Sequence, residues 1–197
     1  MVKFETFFNQ LLKDVKVSIA EEFDRNFERK AFFDKPWPDV KYPARKGSLM
    51  QRTGKLRRSI HAMIIGQAIH FTSSEVYATI QNEGGEITVT QKMKKFFWAK
   101  YYEASNQLTY SVKTKEAKNT KKNRNLSIES EYWKAMALTK IGSKIKIPSR
   151  RFIGPHPVVE REVKRIVDHR VGELEKEINQ MLRDIGAGAG IKNLKFK

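Results

Sequence analysis

The chain has 197 residues and is 40% hydrophobic, enough for one folded domain with a core or for one domain carrying an insertion. It has no cysteine, which excludes disulfides and thiolate metal sites and fits a reducing cytoplasm. No apolar run approaches the roughly 20 residues that span a bilayer, and a formal net charge of +17 predicts attraction to polyanions, either nucleic acid or an acidic protein surface.

Residues 3–30 read as an amphipathic helix. Phe4, Phe8, Leu11, Val15, Ile19, Phe23 and Phe27 recur at spacings of three and four, with Phe7 and Leu12 widening the stripe. Glu5, Lys13 and Asp14 interrupt the apolar residues, so the segment does not read as a signal peptide. Its mixed acids and bases favour a core-facing helix over a lipid-binding one. Residues 34–52 break the period. Pro36, Pro38, Pro43 and Gly47 predict an extended connector, which Trp37 pins to the core.

The clearest strand pair follows. Residues 59–65 and 68–72 flank Gly66-Gln67 as a tight turn, with Ile60, Ala62 and Ile64 on one face and Ile69 and Phe71 on the matching one. Residues 76–82 fit either a strand or a short helix. Gly84-Gly85 marks a turn, and 86–89 reads as a short strand whose counterpart is 144–147. These two are expected to form one hairpin held apart by an insertion at 90–143.

Within the insertion, 91–104 reads as a helix capped by Thr90 and rich in aromatic residues: Phe96, Phe97, Trp98, Tyr101 and Tyr102. A second helix is expected over 127–141, with Ser127 as its cap and Trp133 on its apolar face. Between them, 112–125 carries Lys113, Lys115, Lys118, Lys121, Lys122 and Arg124 against one acid, Glu116. Such a run reads as a mobile basic loop, able to meet DNA or an acidic partner, and flexible basic loops commonly order on acidic partners. Residues 148–157 form a stiff proline-rich segment. Pro157 opens a last helix running to about Ile185, and 186–197 reads as a flexible basic tail.

Catalytic signatures are not found. His61, His70, His156 and His169 lack metal-ligand spacing, and no nucleophile elbow occurs. Six residues separate Gly47 from Gly54, and Leu56 follows Lys55 where a phosphate loop needs Ser or Thr. The expectation is a non-enzymatic protein without metal or other cofactor.

Three pieces resemble the virion-morphogenesis, or tail-completion, family of tailed bacteriophages. The first is Trp37-Pro38 followed by Thr53-Gly54-Lys55-Leu56-Arg57-Arg58-Ser59-Ile60, similar to the family's T-G-x-L-x-x-S-I. The second is Tyr77-Ala78-Thr79-Ile80-Gln81-Asn82-Glu83-Gly84-Gly85, where Gln81 stands in place of a common histidine. The third is Ile147-Pro148-Ser149-Arg150-Arg151-Phe152-Ile153-Gly154, where Arg151 replaces a frequent proline. The resemblance implies a structural virion protein of the neck or tail end, working as a ring, a hexamer or dodecamer, beside portal, adaptor, tail-tube or terminator proteins. The alternative is a basic nucleic-acid-binding accessory protein.

The fold expected is α+β: a small, mostly antiparallel sheet packed against long N- and C-terminal helices. Residues 1–89 and 144–185 form one domain, with a helical-hairpin insertion at 90–143. Phe96, Phe97, Trp98, Tyr101, Trp133, Arg57 and Arg58 are the expected contacts with a neighbouring subunit or virion protein.

Overall fold

The computed structural model describes residues 4–40 and 47–188. The expected connector stretch 41–46 and the tail after 188 lie outside the described residues. The fold is α+β, with long first and last helices and short antiparallel strand pairs. The described residues divide into two compact units, one of 4–25, 61–72 and 153–188, the other of 26–60 and 73–152.

The first unit takes most of helix α1 (Phe4–Arg29), the hairpin of β3 (Ile60–Ile65) and β4 (Ala68–Ser73), and helix α6 (Pro157–Gly188). Burial alternates along both strands, and the inward set is the expected one: Ile60, Ala62, Ile64, Ile69 and Phe71. Phe71 meets Phe23 of α1 edge to face, with ring centroids 4.9 Å apart. Val15, Ile19 and Phe23 of α1 and Ile166 of α6 are buried. The Ser18 hydroxyl donates to Glu162 at 2.7 Å, and Arg170 pairs with Asp14. Later residues of α6 thus meet earlier residues of α1, so the two helices run antiparallel.

In the second unit the chain leaves α1 through β1 (Ala31–Phe32) and β2 (Lys35–Pro36), then reaches Trp37. Trp37 is buried, packs against Phe27 at 5.5 Å and donates its indole N–H to the Arg151 carbonyl at 2.6 Å. Phe27 also meets Phe152 at 5.2 Å, so connector, first helix and the segment before α6 share one apolar centre. A single turn, α2 (Lys55–Arg58), precedes β3. The ambiguous stretch is the helix α3 (Ala78–Glu83). Strands β5 (Gly85–Thr88) and β6 (Lys144–Ile147) pair antiparallel with Thr88 opposite Lys144 and Gly85 opposite Ile147. The two arms predicted on either side of the insertion are therefore neighbours.

One expectation needs correction. The strands at 60–65, 68–73, 85–88 and 144–147 do not join in a four-stranded sheet; β3–β4 and β5–β6 are separate two-stranded ladders. The chain between β4 and β5 satisfies its backbone groups in α3 instead of extending the first ladder.

The insertion is a helical hairpin of α4 (Gln91–Ser105) and α5 (Lys121–Leu138), packed on each other. Thr90 caps α4 as expected, its hydroxyl accepting from the Met93 N–H at 3.2 Å. The second helix starts earlier than Ser127. Thr120 caps it, accepting from Asn123 N–H at 3.1 Å, and Ser127 lies inside the helix. Polar composition disguised this first turn as loop.

Candidate functional site

The three family-like pieces lie far apart in sequence and meet at one junction in the second unit. Arg150 donates its backbone N–H to the Gln81 carbonyl at 2.8 Å. The Ser149 hydroxyl donates to the Asn82 carbonyl at 2.7 Å, and the Phe152 N–H donates to the Asn82 side-chain oxygen at 2.8 Å. Asn26 completes the tie: its amide donates to the Phe152 carbonyl at 3.2 Å and accepts from the Phe33 N–H at 2.9 Å. Gly84 explains why glycine is required here. Its φ is +79°, and a Cβ would stand 2.8 Å from the Ser149 nitrogen and 3.0 Å from the Ile147 oxygen.

Arg150 is the buried cation of this junction, 8% exposed. Its guanidinium donates to the Pro38 carbonyl at 2.9 Å and the Asp39 carbonyl at 3.3 Å, fixing the connector. Burial pulls its pKa below the usual arginine range, with the charge of Asp39 acting the other way. A cleft of about 460 Å³ opens beside it. Thr53, Gly54 and Leu56 line the cleft from the first piece, Tyr77 and Gln81 from the second, and Ile147, Pro148 and Arg150 from the third, with Tyr132 of α5 added. The Gln81 side-chain oxygen is buried and has no hydrogen-bond partner among the described residues. At the cleft wall Lys55 pairs with Glu75 at 3.0 Å, a hydrogen bond that raises the pKa of the lysine.

The predicted contact residues do not form one patch. Arg57 pairs with Glu28 at 2.8 Å, and Arg58 donates to the Thr53 carbonyl at 3.0 Å, so both brace the chain before β3. Phe97 is buried within the hairpin, stacked on Trp133 at 5.9 Å; its surface is spent holding α4 to α5. Trp133 is half-buried there, and Phe96 meets it edge-on at 5.8 Å while staying 51% exposed. Trp98 and Tyr101 are half-buried in their own aromatic pair at 5.6 Å.

Part of the basic run is helix, where a loop spanning all of it was expected. Lys121, Lys122 and Arg124 belong to the first turns of α5. Before them, 109–118 folds back on itself through an isolated bridge between Tyr110 and Ala117. Asn123 is its hub, 3% exposed: its amide donates to the Thr109 carbonyl at 2.7 Å and the Lys118 carbonyl at 2.8 Å, and its oxygen accepts from the Thr109 N–H and hydroxyl, both at 3.2 Å. Around this hub Lys113, Lys115, Lys118, Lys121, Lys122 and Arg124 are all exposed, and none makes an ion pair with a described residue. Helix α5 has no acid in its first turn, so the positive end of the helix adds to their field.

Sequence reasoning quoted Asn82 and Arg150 within their motifs without giving either a role, and passed over Asn123. An arginine pair in a stiff, proline-flanked segment was the available signal for Arg150. Asn123 carried none, because an asparagine between Lys122 and Arg124 reads as solvent-facing. Among the described residues, no three of His, Cys, Asp and Glu come together as a metal site, and no helix is long and apolar enough to cross a membrane. Comparison with protein-family models, curated proteins and solved structures returns no match.

Proposed function

We propose that the chain is a non-enzymatic structural virion protein of a tailed bacteriophage. It acts in the neck or tail end as a tail-completion or head–tail joining protein and assembles into a ring, a hexamer or dodecamer. Its partners are copies of itself and the portal, adaptor, tail-tube or terminator proteins on either side. It is assembled in the host cytoplasm and resides in the virion. One observation supports this reading most: the three pieces that carry the family resemblance converge on a single junction, the second and third joined by bonds of Gln81 and Asn82 to 149–152 and the first by Trp37 and Pro38 to Arg151 and Arg150. Residues used in this way specify chain shape and not reactivity.

The test is a phage lysate in which the gene is silenced. Filled heads and finished tails that fail to join, with the chain absent from the particles, are the expected result. Joined, infectious particles lacking the chain would reject the proposal. A second reading, a nucleic-acid-binding accessory protein, draws on the exposed bases ordered around Asn123.

A further inference from the structure

Among the helical surfaces that keep large apolar side chains in solvent, two differ in the charge around them. On α6, Val171, Ile178, Met181, Leu182 and Ile185 are 40–67% exposed and recur at heptad-like spacing, making one stripe. At 3.6 residues per turn, Glu175 borders this stripe on one side and Glu177 with Asp184 on the other. The bases of the same stretch, Lys176 and Arg183, fall on the opposite side of the helix. The stripe is therefore apolar with acidic margins, on a chain of net +17.

The second surface is the outward side of α5. Asn123, Leu126, Ser130 and Ala137 form its buried row. Ile128 and Leu138 lie away from that row, 43% and 64% exposed, with Lys121, Arg124 and Lys134 around them and one acid, Glu131. The whole insertion, 90–143, holds twelve Lys and Arg against four Asp and Glu. This surface is basic, with two exposed apolar side chains set in it.

We propose that these are the two halves of one contact: the α6 stripe of one copy docks on the outward side of α5 of the next. Pairing the α6 stripe with itself buries more apolar surface but sets acids against acids on both margins, whereas the α5 side sets acids against bases. Each copy carries one of each half, so the contact is heterologous and repeats from copy to copy. Closure into a ring, and only that, rests on the function proposed above.

Light- and heavy-nitrogen-labelled full-length protein, mixed at high concentration, is treated with a zero-length carboxyl–amine cross-linker. Mixed-label products should join Glu175 or Glu177 to Lys121, Lys122 or Lys134. Mixed-label products only between α6 and α6, or none, overturn the inference. Charge-swapped variants give a second readout. Glu175→Lys with Glu177→Lys, or Lys121→Glu with Arg124→Glu and Lys134→Glu, should each weaken self-association about tenfold or more. An equal mixture of the two variants should restore it, because every contact between unlike variants is again acid to base. Unchanged association in either variant, or no recovery on mixing, overturns the inference. The silencing experiment does not involve these surfaces, so the virion reading and this contact can fail separately.

Discussion

A single methyl group distinguishes two glycines in this chain. At Gly84 the added carbon would press on the backbone of Ser149 and Ile147, neither of which can swing aside; at Gly66, φ +61°, it would meet nothing within 4 Å. Gly66→Ala should therefore cost about 1 kcal/mol for the left-handed backbone alone. Gly84→Ala should cost roughly 2–4 kcal/mol, strain and displacement together. Urea unfolding of both variants checks the difference, and equal losses would show that the junction yields freely. Asn123→Ala strips partners from the Thr109 and Lys118 carbonyls at a buried site. It should destabilise the hairpin tip by about 2–3 kcal/mol. Amide exchange should quicken across 109–120 while the β5–β6 ladder stays protected; protection unchanged at the tip would show that Asn123 does not hold it.

Among the elements, the α1–α6 pair carries a pH dependence. Hydrogen bonds from Arg165 and then Ser18 pull the Glu162 carboxyl down to about 2. A depressed folded pKa stabilises the fold above the unfolded value, about 4.3, and that contribution is lost as pH falls from there toward 2. Because its partner Arg165 is exposed and solvent screens the pair, the effect is modest. Glu162→Gln should lower the urea midpoint near neutral pH and leave it closer to wild type at about pH 3. A midpoint shifted equally at both would mean the carboxylate charge is not what matters. Both long helices were legible because an apolar stripe repeats along each, and the β3–β4 hairpin because alternation and Gly66 agree. The β5–β6 pairing was legible from two matching short runs, although more than fifty residues separate them. The start of α5 was not, since Lys, Asn and Arg give no periodic apolar signal and only the inward turn of Asn123 reveals the helix. The cleft was not either: its walls come from stretches far apart in sequence, Tyr132 of α5 among them, whose meeting is a tertiary fact.

For the molecule as a whole, the charge makes a testable statement about polyanions. Six exposed bases gathered at one hairpin tip make a dense positive patch, so phosphate contact would be strong at low salt and weak at physiological salt, without sequence preference. Changing Lys113, Lys115, Lys118, Lys121, Lys122 and Arg124 to serine should then cut affinity for unrelated duplex DNA by about 10³-fold at low salt and flatten the salt dependence. Equal binding by wild type and variant would remove the hairpin tip as a DNA contact. No binding by either would leave the basic surface to protein partners.

The insertion leaves and rejoins the chain at adjacent points, with the Val89 N–H bonded to the Ser143 carbonyl and the Gly142 N–H bonded to the Val89 carbonyl. Its mechanical consequence is specific. A pull on the hairpin draws β5 and β6 in the same direction, so the bonds between those strands are not peeled apart. The load passes instead to what ties their far ends to other segments: Arg150 to Pro38, Trp37 to Arg151, and Asn26 to Phe152. The junction is thus placed as a tension joint. Stretched between the hairpin tip and α1 in an optical trap, the chain should yield at that joint first, and Asn26→Ala should lower the yield force more than any change within the strand ladder.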